Sequence, residues 1–377
     1  PVPASPGRHV YSGVTDVLAG AVAPLVPGAR LDPGRPLRLA LVVPHFSFGS
    51  GGHHVVFQLA HHLEQRGHTV SYWVHDPFGE WPDATGPALR AAIREQYAPV
   101  EGPAFSGFAD WSGADVALAT GWQTVYPVLG LDGCRARAYL VNDHEPEFYP
   151  TSLESLFAAR TYELGLPCLV GGGPWLADLL TQRYGAHVVA RFPYPVAPAF
   201  SPRPVDRRED TLVVYGRNVT PRRAVGLALI ALEELKRRRP DLRVVLFGDE
   251  GAAPLNFPYE HHGRISPEDL SWVYSEATIG IAFSLTHGSL VPHDMMACGL
   301  PVLDLKGYST AAEHAATGLV ELAPPDPRAI ADALERLLDD PSLRAERAEA
   351  AQAYVARHTW ERSTDLVEDG LRRILAA

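Results

Sequence analysis

Two stretches of the sequence concentrate side chains able to hold a phosphorylated ligand. In residues 216–223, GRNVTPRR, Gly216 and Arg217 follow an apolar run, and Arg222 and Arg223 stand where a helical pattern begins. Basic side chains at a helix N-terminus oppose its dipole, and a bound anion offsets that cost. A guanidinium also matches phosphate oxygens in a bidentate way. Arg217 and Arg222 are the principal candidates for a diphosphate grip and Arg223 a lesser one; a solvated charged face would use the same residues. In residues 284–305, SLTHGSLVPHDMMACGLPVLDL, Thr286 and Ser289 precede a short helix expected to open near Leu290 and Val291, with Asp294 one turn in. Free backbone N–H groups at such a start, with the hydroxyls beside them, suit a diphosphate. A carboxylate at Asp294 suits the two hydroxyls of a ribose. A capping loop, with Asp294 near the helix dipole, explains this spacing equally well.

Three further clusters carry chemistry of a different kind. The run 142–146 is Asn142, Asp143, His144, Glu145 and Pro146, placed after the apolar segment RARAYLV. Asp143, then His144, are general-base or acceptor-orienting candidates there, and a solvated loop has the same composition. The loop FGSGG (48–52) puts Gly51, Gly52 and then His53 at the start of a helix, where backbone amides approach a diphosphate or an acceptor; a tight turn needing positive φ is the alternative. It lacks the GxGxxG spacing, and Val74 is followed by His75 and Asp76 rather than by an acid closing the strand, so a nicotinamide dinucleotide site is disfavoured. The run GGGPW (171–175) faces the site or is the turn that lets the next helix pack. His53, His54, His61 and His62 have neither HExxH spacing nor a common metal-ligating face. No DxD occurs at a strand end. The sequence therefore predicts no metal and no cofactor.

These residues need elements to position them, and the chain supplies two similar halves. LRLALVVP (37–44) and HTVSYWV (68–74) read as buried parallel strands around a helix that places Val55, Val56, Leu59, Ala60 and Leu63 on one side and stops at Gly67. From residue 211 the pattern repeats: strand TLVVYG, loop RNVTP, a helix over 222–240, and strand DLRVVLFGD. Ser266, Pro267 and Asp269 form a helix start over 267–277, 306–318 reads as a loop, and three helices close the chain. Residues 191–210 contain five prolines and a charged end, the composition of a linker. The expectation is two Rossmann-like α/β domains, 1–205 (with a leading segment 1–36 and one amphipathic helix within 10–27) and 206–377, the last helix packing back towards the first domain. Ligands of open parallel sheets lie beyond the carboxyl ends of strands.

Composition sets the class. The chain has 377 residues, 46% hydrophobic and 20% charged, enough for ordinary cores in two domains. A net charge of −11 excludes the dense basic footprint of a general nucleic-acid binder. Cys134, Cys168 and Cys298 fit no metal knuckle and suit a reducing, cytoplasmic setting. No apolar run nears the ~20 residues of a membrane span, and the first 36 residues lack a signal-peptide pattern.

With these residues on the page, the chain resembles GT-B glycosyltransferases of family 4. The family's G-R-x(4)-K-G corresponds to Gly216, Arg217 and Arg222, and its E-G-F-G-x(4)-E-A-M-A-C-G-x-P-V to THGSLVPHDMMACGLPV. DHEPEFYP, GPWL, PRR and SLTHGSLVPHDMMACG resemble a bacterial rhamnosyltransferase-like subgroup. The resemblance implies a GT-B fold, two α/β domains facing each other across a cleft, and transfer of a hexosyl group from a nucleotide-diphosphate sugar without a metal. Arg217 and Arg222 would grip the diphosphate, amides near Ser289, Leu290 and Val291 would assist, Asp294 would hold the ribose, and Arg264 would lie by the base. Gly51, Gly52, His53, Asp143, His144 and Glu145 would serve the acceptor: a glycan, a lipid-linked sugar at the inner face of the membrane, or a small natural product. One departure stands out: where the family places an acid against the donor sugar, this chain has Thr286, which suits a sugar lacking a hydroxyl, such as a 6-deoxyhexose. The rival readings are another GT-B enzyme such as a sugar-nucleotide epimerase or a phosphorylase, a non-catalytic nucleotide-sugar or glycan binder, and, more distantly, a nicotinamide dehydrogenase.

Overall fold

The computed structural model describes residues 12–27, 32, 34–46, 49–76, 81, 84–251 and 253–377. It divides into two compact units. One comprises residues 1–171, 177–192 and 360–377, the other residues 172–176 and 193–359.

In the first unit, helix α1 (Ser12–Leu18) is followed by strands and helices in alternation: β1 (Arg38–Pro44), α2 (Gly51–Gln65), β2 (Thr69–His75), α3 (Gly86–Gln96), β3 (Ala104–Ser106), β4 (Ala114–Ala119), α4 (Trp122–Gly130), β5 (Cys134–Val141), α5 (Leu153–Thr161), β6 (Cys168–Gly171), α6 (Pro174–Tyr184) and β7 (Val188–Phe192). The sheet is parallel, in the order β3-β2-β1-β4-β5-β6-β7. Its central strands are buried on both faces, which is why they read as continuous apolar runs. The amphipathic helix expected within 10–27 is shorter: residues 10 and 11 lie outside the described residues, and Gly20, at φ 92°, follows the end of α1.

The second unit runs β8 (Thr211–Tyr215), α7 (Val225–Arg238), β9 (Arg243–Phe247), β10 (Glu260–His261), α8 (Pro267–Glu276), β11 (Ile279–Ile281), α9 (Val291–Ala297), β12 (Val302–Leu305), α10 (Ser309–His314), β13 (Val320–Ala323), α11 (Pro327–Asp339) and α12 (Pro341–Val355). Its parallel sheet has the order β10-β9-β8-β11-β12-β13. Successive side chains of a strand face opposite ways. Leu212, Val214, Leu246 and Ile281 accordingly enter a core with α7 and α11, while Val213, Val245, Phe247 and Val302 enter another with Met295, Met296 and Tyr274. Ser266 caps α8 by accepting from Asp269 N–H at 3.1 Å.

Two boundaries differ from the sequence expectation. The division falls at Pro193, not 205, because residues 200–203 are bonded to α8: Phe200 stacks on Tyr274, and the Ser201 and Arg203 amides reach Ser271 and Ser275. The segment 306–318, expected as a loop, contains α10. The final helix α13 (Trp360–Ala376) belongs to the first unit, where Gly370 lets it lie so close that a Cβ would sit 2.9 Å from that of Ala190. Trp360 stacks with His62 on α2 at 5.7 Å and lies 6.0 Å from His54. These α2 histidines are packing partners of α13.

Candidate functional site

In the second unit, β8 and β11 are the adjacent strands at which the sheet order reverses, the position where open α/β sheets bind ligands. The two stretches singled out in the sequence follow these two strands. Gly216 N–H extends the ladder to the Phe247 carbonyl at 2.8 Å. Arg217 Nε then donates to Thr220 Oγ1 at 3.2 Å. The helix expected to open at Arg222 opens at Val225, after a 3₁₀ turn over Pro221–Arg223 and a left-handed Ala224 at φ 46°.

The cause of that delay is Arg223. It is 8% exposed, and its guanidinium donates to Ser284 Oγ at 2.8 Å and to the His287 carbonyl at 3.4 Å. Leu285 N–H donates to the Arg222 carbonyl at 2.8 Å. Arg223 therefore faces inward and ties the two loops together, while Arg222 is only partly buried. Beneath them, Asp304 is fully buried and accepts from Ser284 and Leu305 N–H at 3.1 and 2.7 Å. Burial pushes its pKa up to about 7, opposed by a Thr310 hydrogen bond, the two amides and the Arg223 charge.

The loop ahead of α9 is not a side-chain cap. Its N-cap residue is Leu290, with no capping side-chain bond. Thr286 is 5% exposed; its carbonyl accepts from Ser309 Oγ at 2.8 Å, and its own Oγ1 has no hydrogen-bond partner among the described residues. Asp294 sits in the first turn of α9, and burial raises its pKa well above the ordinary carboxylate range. No hydrogen bond from the described residues opposes that shift. Ser289, Leu290 and Val291 are partly exposed beside it. Arg264, beyond β10, is exposed and donates from Nε to Glu250 Oε1 at 2.9 Å.

The candidates of the first unit have more structural roles than expected. Gly51 and Gly52 are the first residues of α2, capped by Ser50; the positive φ of that loop lies at Gly49 (83°). His53 Nδ1 is 2.9 Å from Ser50 Oγ, and burial, with His45 nearby, lowers its pKa to about 4, so it is neutral near pH 7. His144 is 1% exposed, with Nε2 2.8 Å from Tyr184 Oη, Nδ1 3.2 Å from Glu147, and its ring stacked on Tyr162. It is a packed, bonded histidine. Glu145 is a buried anchor: it accepts from Trp122 N–H at the start of α4 at 2.7 Å and from Tyr139 Oη at 2.5 Å. Burial raises its pKa to about 7 against those two bonds. Asp143 is 9% exposed, and its Oδ1 accepts from His144 N–H at 2.8 Å. Asn142 Nδ2 donates to the Gly52 carbonyl at 3.4 Å, bringing the end of β5 to the start of α2.

The glycine run 171–175 lies beside residues that were not singled out in the sequence, His287 and Glu313. Gly172 has φ 71°, and a Cβ there would meet His287 Cε1 at 2.1 Å; one on Gly173 would meet Glu313 Oε2 at 2.9 Å. The glycine run is thus a close approach to His287 and Glu313. A pocket lies between these residues, Trp175, Tyr194, Ser309 and Thr310. Glu313 belongs to the helix hidden in the expected loop, and only the tertiary fold brings it to α9.

The fold class is GT-B: two parallel α/β sheets, each wound in both directions from a central strand, as in glycosyltransferase structures. Residues 209–340 match the family model described as "Glycosyl transferases group 1". The O-antigen biosynthesis protein RfbC of Myxococcus xanthus is 30% identical over 366 residues, covering 93% of this chain and 28% of that protein. The chain thus spans little more than a quarter of that relative. Among solved structures, the sucrose-phosphate synthase of Thermosynechococcus elongatus superposes with a TM-score of 0.68 at 17% identity, covering 90% of this chain and 100% of the other. Anabaena HepE, solved in complex with UDP and glucose, gives 0.68 at 14%, covering 89% and 100%.

Proposed function

We propose that the chain is a glycosyltransferase that moves a hexosyl group from a nucleotide-diphosphate sugar to a glycan-type acceptor. The observation that carries this reading is Asp294: a partly exposed but poorly solvated carboxylate without a hydrogen bond from the described residues, at the switch point of a parallel sheet. A poorly solvated acid without donors is costly, and a ribose 2′,3′-diol would supply them. Arg217 and Arg222 neutralise charge growing on the leaving diphosphate, the electrostatic stabilisation that usually contributes most to such a step. Backbone amides near Ser289–291 assist and Arg264 lies by the base. The arginines take the part that a metal plays elsewhere, so the transfer is read as metal-independent and cofactor-free. Asp143, next in chain to Asn142, which bonds the Gly52 carbonyl, is the base or orienter for the acceptor hydroxyl.

The donor sugar is read as a 6-deoxyhexose such as rhamnose, because Thr286 stands where the resembling family has an acid. The acceptor is read as a surface glycan under assembly, by likeness to the O-antigen biosynthesis protein, with action in the cytoplasm in keeping with three buried free thiols. No helix among the described residues is long and apolar enough to cross a membrane.

Calorimetry with UDP, dTDP and GDP tests the grip. Wild-type protein is expected to bind one of them, and Arg217→Ala to lose at least tenfold in affinity; unchanged affinity would discard the diphosphate assignment. Thr286 also favours a second reading, a nucleotide-sugar binder without turnover. Formation of a glycosylated product, or hydrolysis of the donor, excludes it.

A further inference from the structure

We propose that His293, Glu313 and His314 form a binding site for one zinc-type divalent cation inside the second unit. This site adjoins the Ser289 loop of the diphosphate grip but uses none of its residues as ligands, and it does not depend on the transferase reading.

The donor set comes from two short helices. His293 lies on the first turn of α9, and Glu313 and His314 end α10. One ligand atom from each lies within 4.8 Å of the other two. Two imidazole nitrogens and one carboxylate oxygen are the donors that zinc-class ions take, whereas magnesium and calcium select oxygen. His293 Nε2 is 3.8 Å from Glu313 Oε1, and His314 Nε2 is 4.0 Å from Glu313 Oε2. Both are too long for hydrogen bonds. Tetrahedral ligands at zinc distances stand about 3.4 Å apart, so the two His–Glu pairs close by about half an ångström and the widest separation, within 4.8 Å, by up to about 1.4 Å to form a chelate.

The His293 ring keeps a hydrogen bond to the Tyr194 backbone, whereas His314 has no such anchor at Nδ1. His314 is 2% exposed, and its Nδ1 has no hydrogen-bond partner among the described residues. Burying an imidazole without a good hydrogen bond costs about 1–3 kcal/mol, and ligation through one ring nitrogen offsets part of that cost. Tyr354 Oη donates to Glu313 Oε1 at 2.6 Å, the kind of outer bond that orients a metal-binding carboxylate. The Tyr354 and His358 rings close the other side, 6.1 and 5.3 Å from His293. The adjoining pocket, bounded by Ser309, Thr310 and Gly288, has room for about one or two waters, enough to complete four-coordination. A cation there joins α9 to α10 on either side of β12, under the loop that carries Thr286 and Ser289.

The full chain, stripped with chelator, is titrated with Co²⁺ as an optical probe, and Zn²⁺ is measured by competition. One equivalent of Co²⁺ is expected to give the visible bands of a tetrahedral N/O site, and saturating Zn²⁺ to raise Tm by about 5 °C. His314→Ala and Glu313→Gln should each weaken Co²⁺ binding at least 100-fold. Tyr354→Phe, which leaves all three ligands in place, should weaken it about 10–100-fold and keeps the test informative if a ligand variant does not fold. His261→Ala, an exposed histidine of the same unit, should change nothing. Absence of stoichiometric Co²⁺ binding by the wild type, or binding that survives His314→Ala and Tyr354→Phe unchanged, overturns the proposal.

Discussion

At the scale of single residues, the site is marked by acids held where their charge is poorly solvated. Asp294 is the clearest case. Burial raises its pKa, so the free protein is penalised as pH rises above the ordinary carboxylate range. Asp294→Asn removes that penalty while deleting a charged acceptor for the ribose. The variant is expected to be at least as stable as wild type to urea at pH 8 and to bind nucleoside diphosphate about 10–100-fold more weakly, since hydrogen bonds to a charged group contribute about 1.5–3 kcal/mol. A purely packing role predicts lost stability with unchanged affinity. Glu145 gives a second test. Its pKa of about 7 in the fold exceeds the ordinary 4.5, so the folded state keeps a proton that the unfolded chain releases. Stability is therefore full below about pH 4.5 and falls as pH rises to 7, by about 3 kcal/mol from this group. Urea unfolding at pH 4.5 and 8 should show a smaller difference for Glu145→Gln than for wild type; equal slopes would remove Glu145 as the cause.

At the scale of elements, the alternation of strands and helices was legible because the strands are buried on both faces and the helices on one. Runs such as LALVV and the Val55–Leu59–Leu63 spacing leave little choice. The candidate site was legible in part: both loops do follow neighbouring strands, and Asp294 does lie on the first turn of α9. What sequence spacing missed was set by distant partners. Arg222 and Arg223 read as the start of a helix, but Arg223 turns inward to Ser284 and His287, and Ala224 takes a left-handed conformation to allow it. STAAEH was passed over as loop because six residues carry too little periodicity to mark a helix. Arg223 and Arg217 of this segment should therefore behave oppositely. Arg223→Ala leaves buried acceptors unpaired, and we expect a loss of about 2–3 kcal/mol in urea unfolding. Arg217→Ala should stay within about 0.5 kcal/mol of wild type while losing donor affinity. If Arg223→Ala unfolds like wild type, the tie between the loops is not what holds them.

At the scale of the whole chain, the units are not two consecutive halves. The composition of 191–210 announced a linker, but the position of the break depended on Phe200 and Arg203 packing against α8, which spacing does not encode. At the end of the chain, α13 follows α12 in sequence and belongs to the first unit. Val367 and Leu371 are fully buried there, Gly370 lies against Leu169 and Ala190, and Arg66 of α2 pairs with Asp365 at 2.8 Å and Glu368 at 3.1 Å. The first unit thus closes only when the last 18 residues are present, the count from Trp360 through Ala377. Any Cβ at position 370 falls 2.6 Å from Leu169 Cδ2, so Gly370→Val overpacks this contact and should cost about 1–3 kcal/mol. Leu371→Ala should cost about 2–5 kcal/mol. Because these contacts lie within one unit, the damage should be local in amide exchange. Protection of Leu169, Val170 and Ala190 should fall in both variants, while Val213, Val245 and Leu303 keep theirs. Equal loss in both sheets would mean that the two units unfold as one, and unchanged protection in β6 and β7 would mean that α13 contributes little to the sheet it covers.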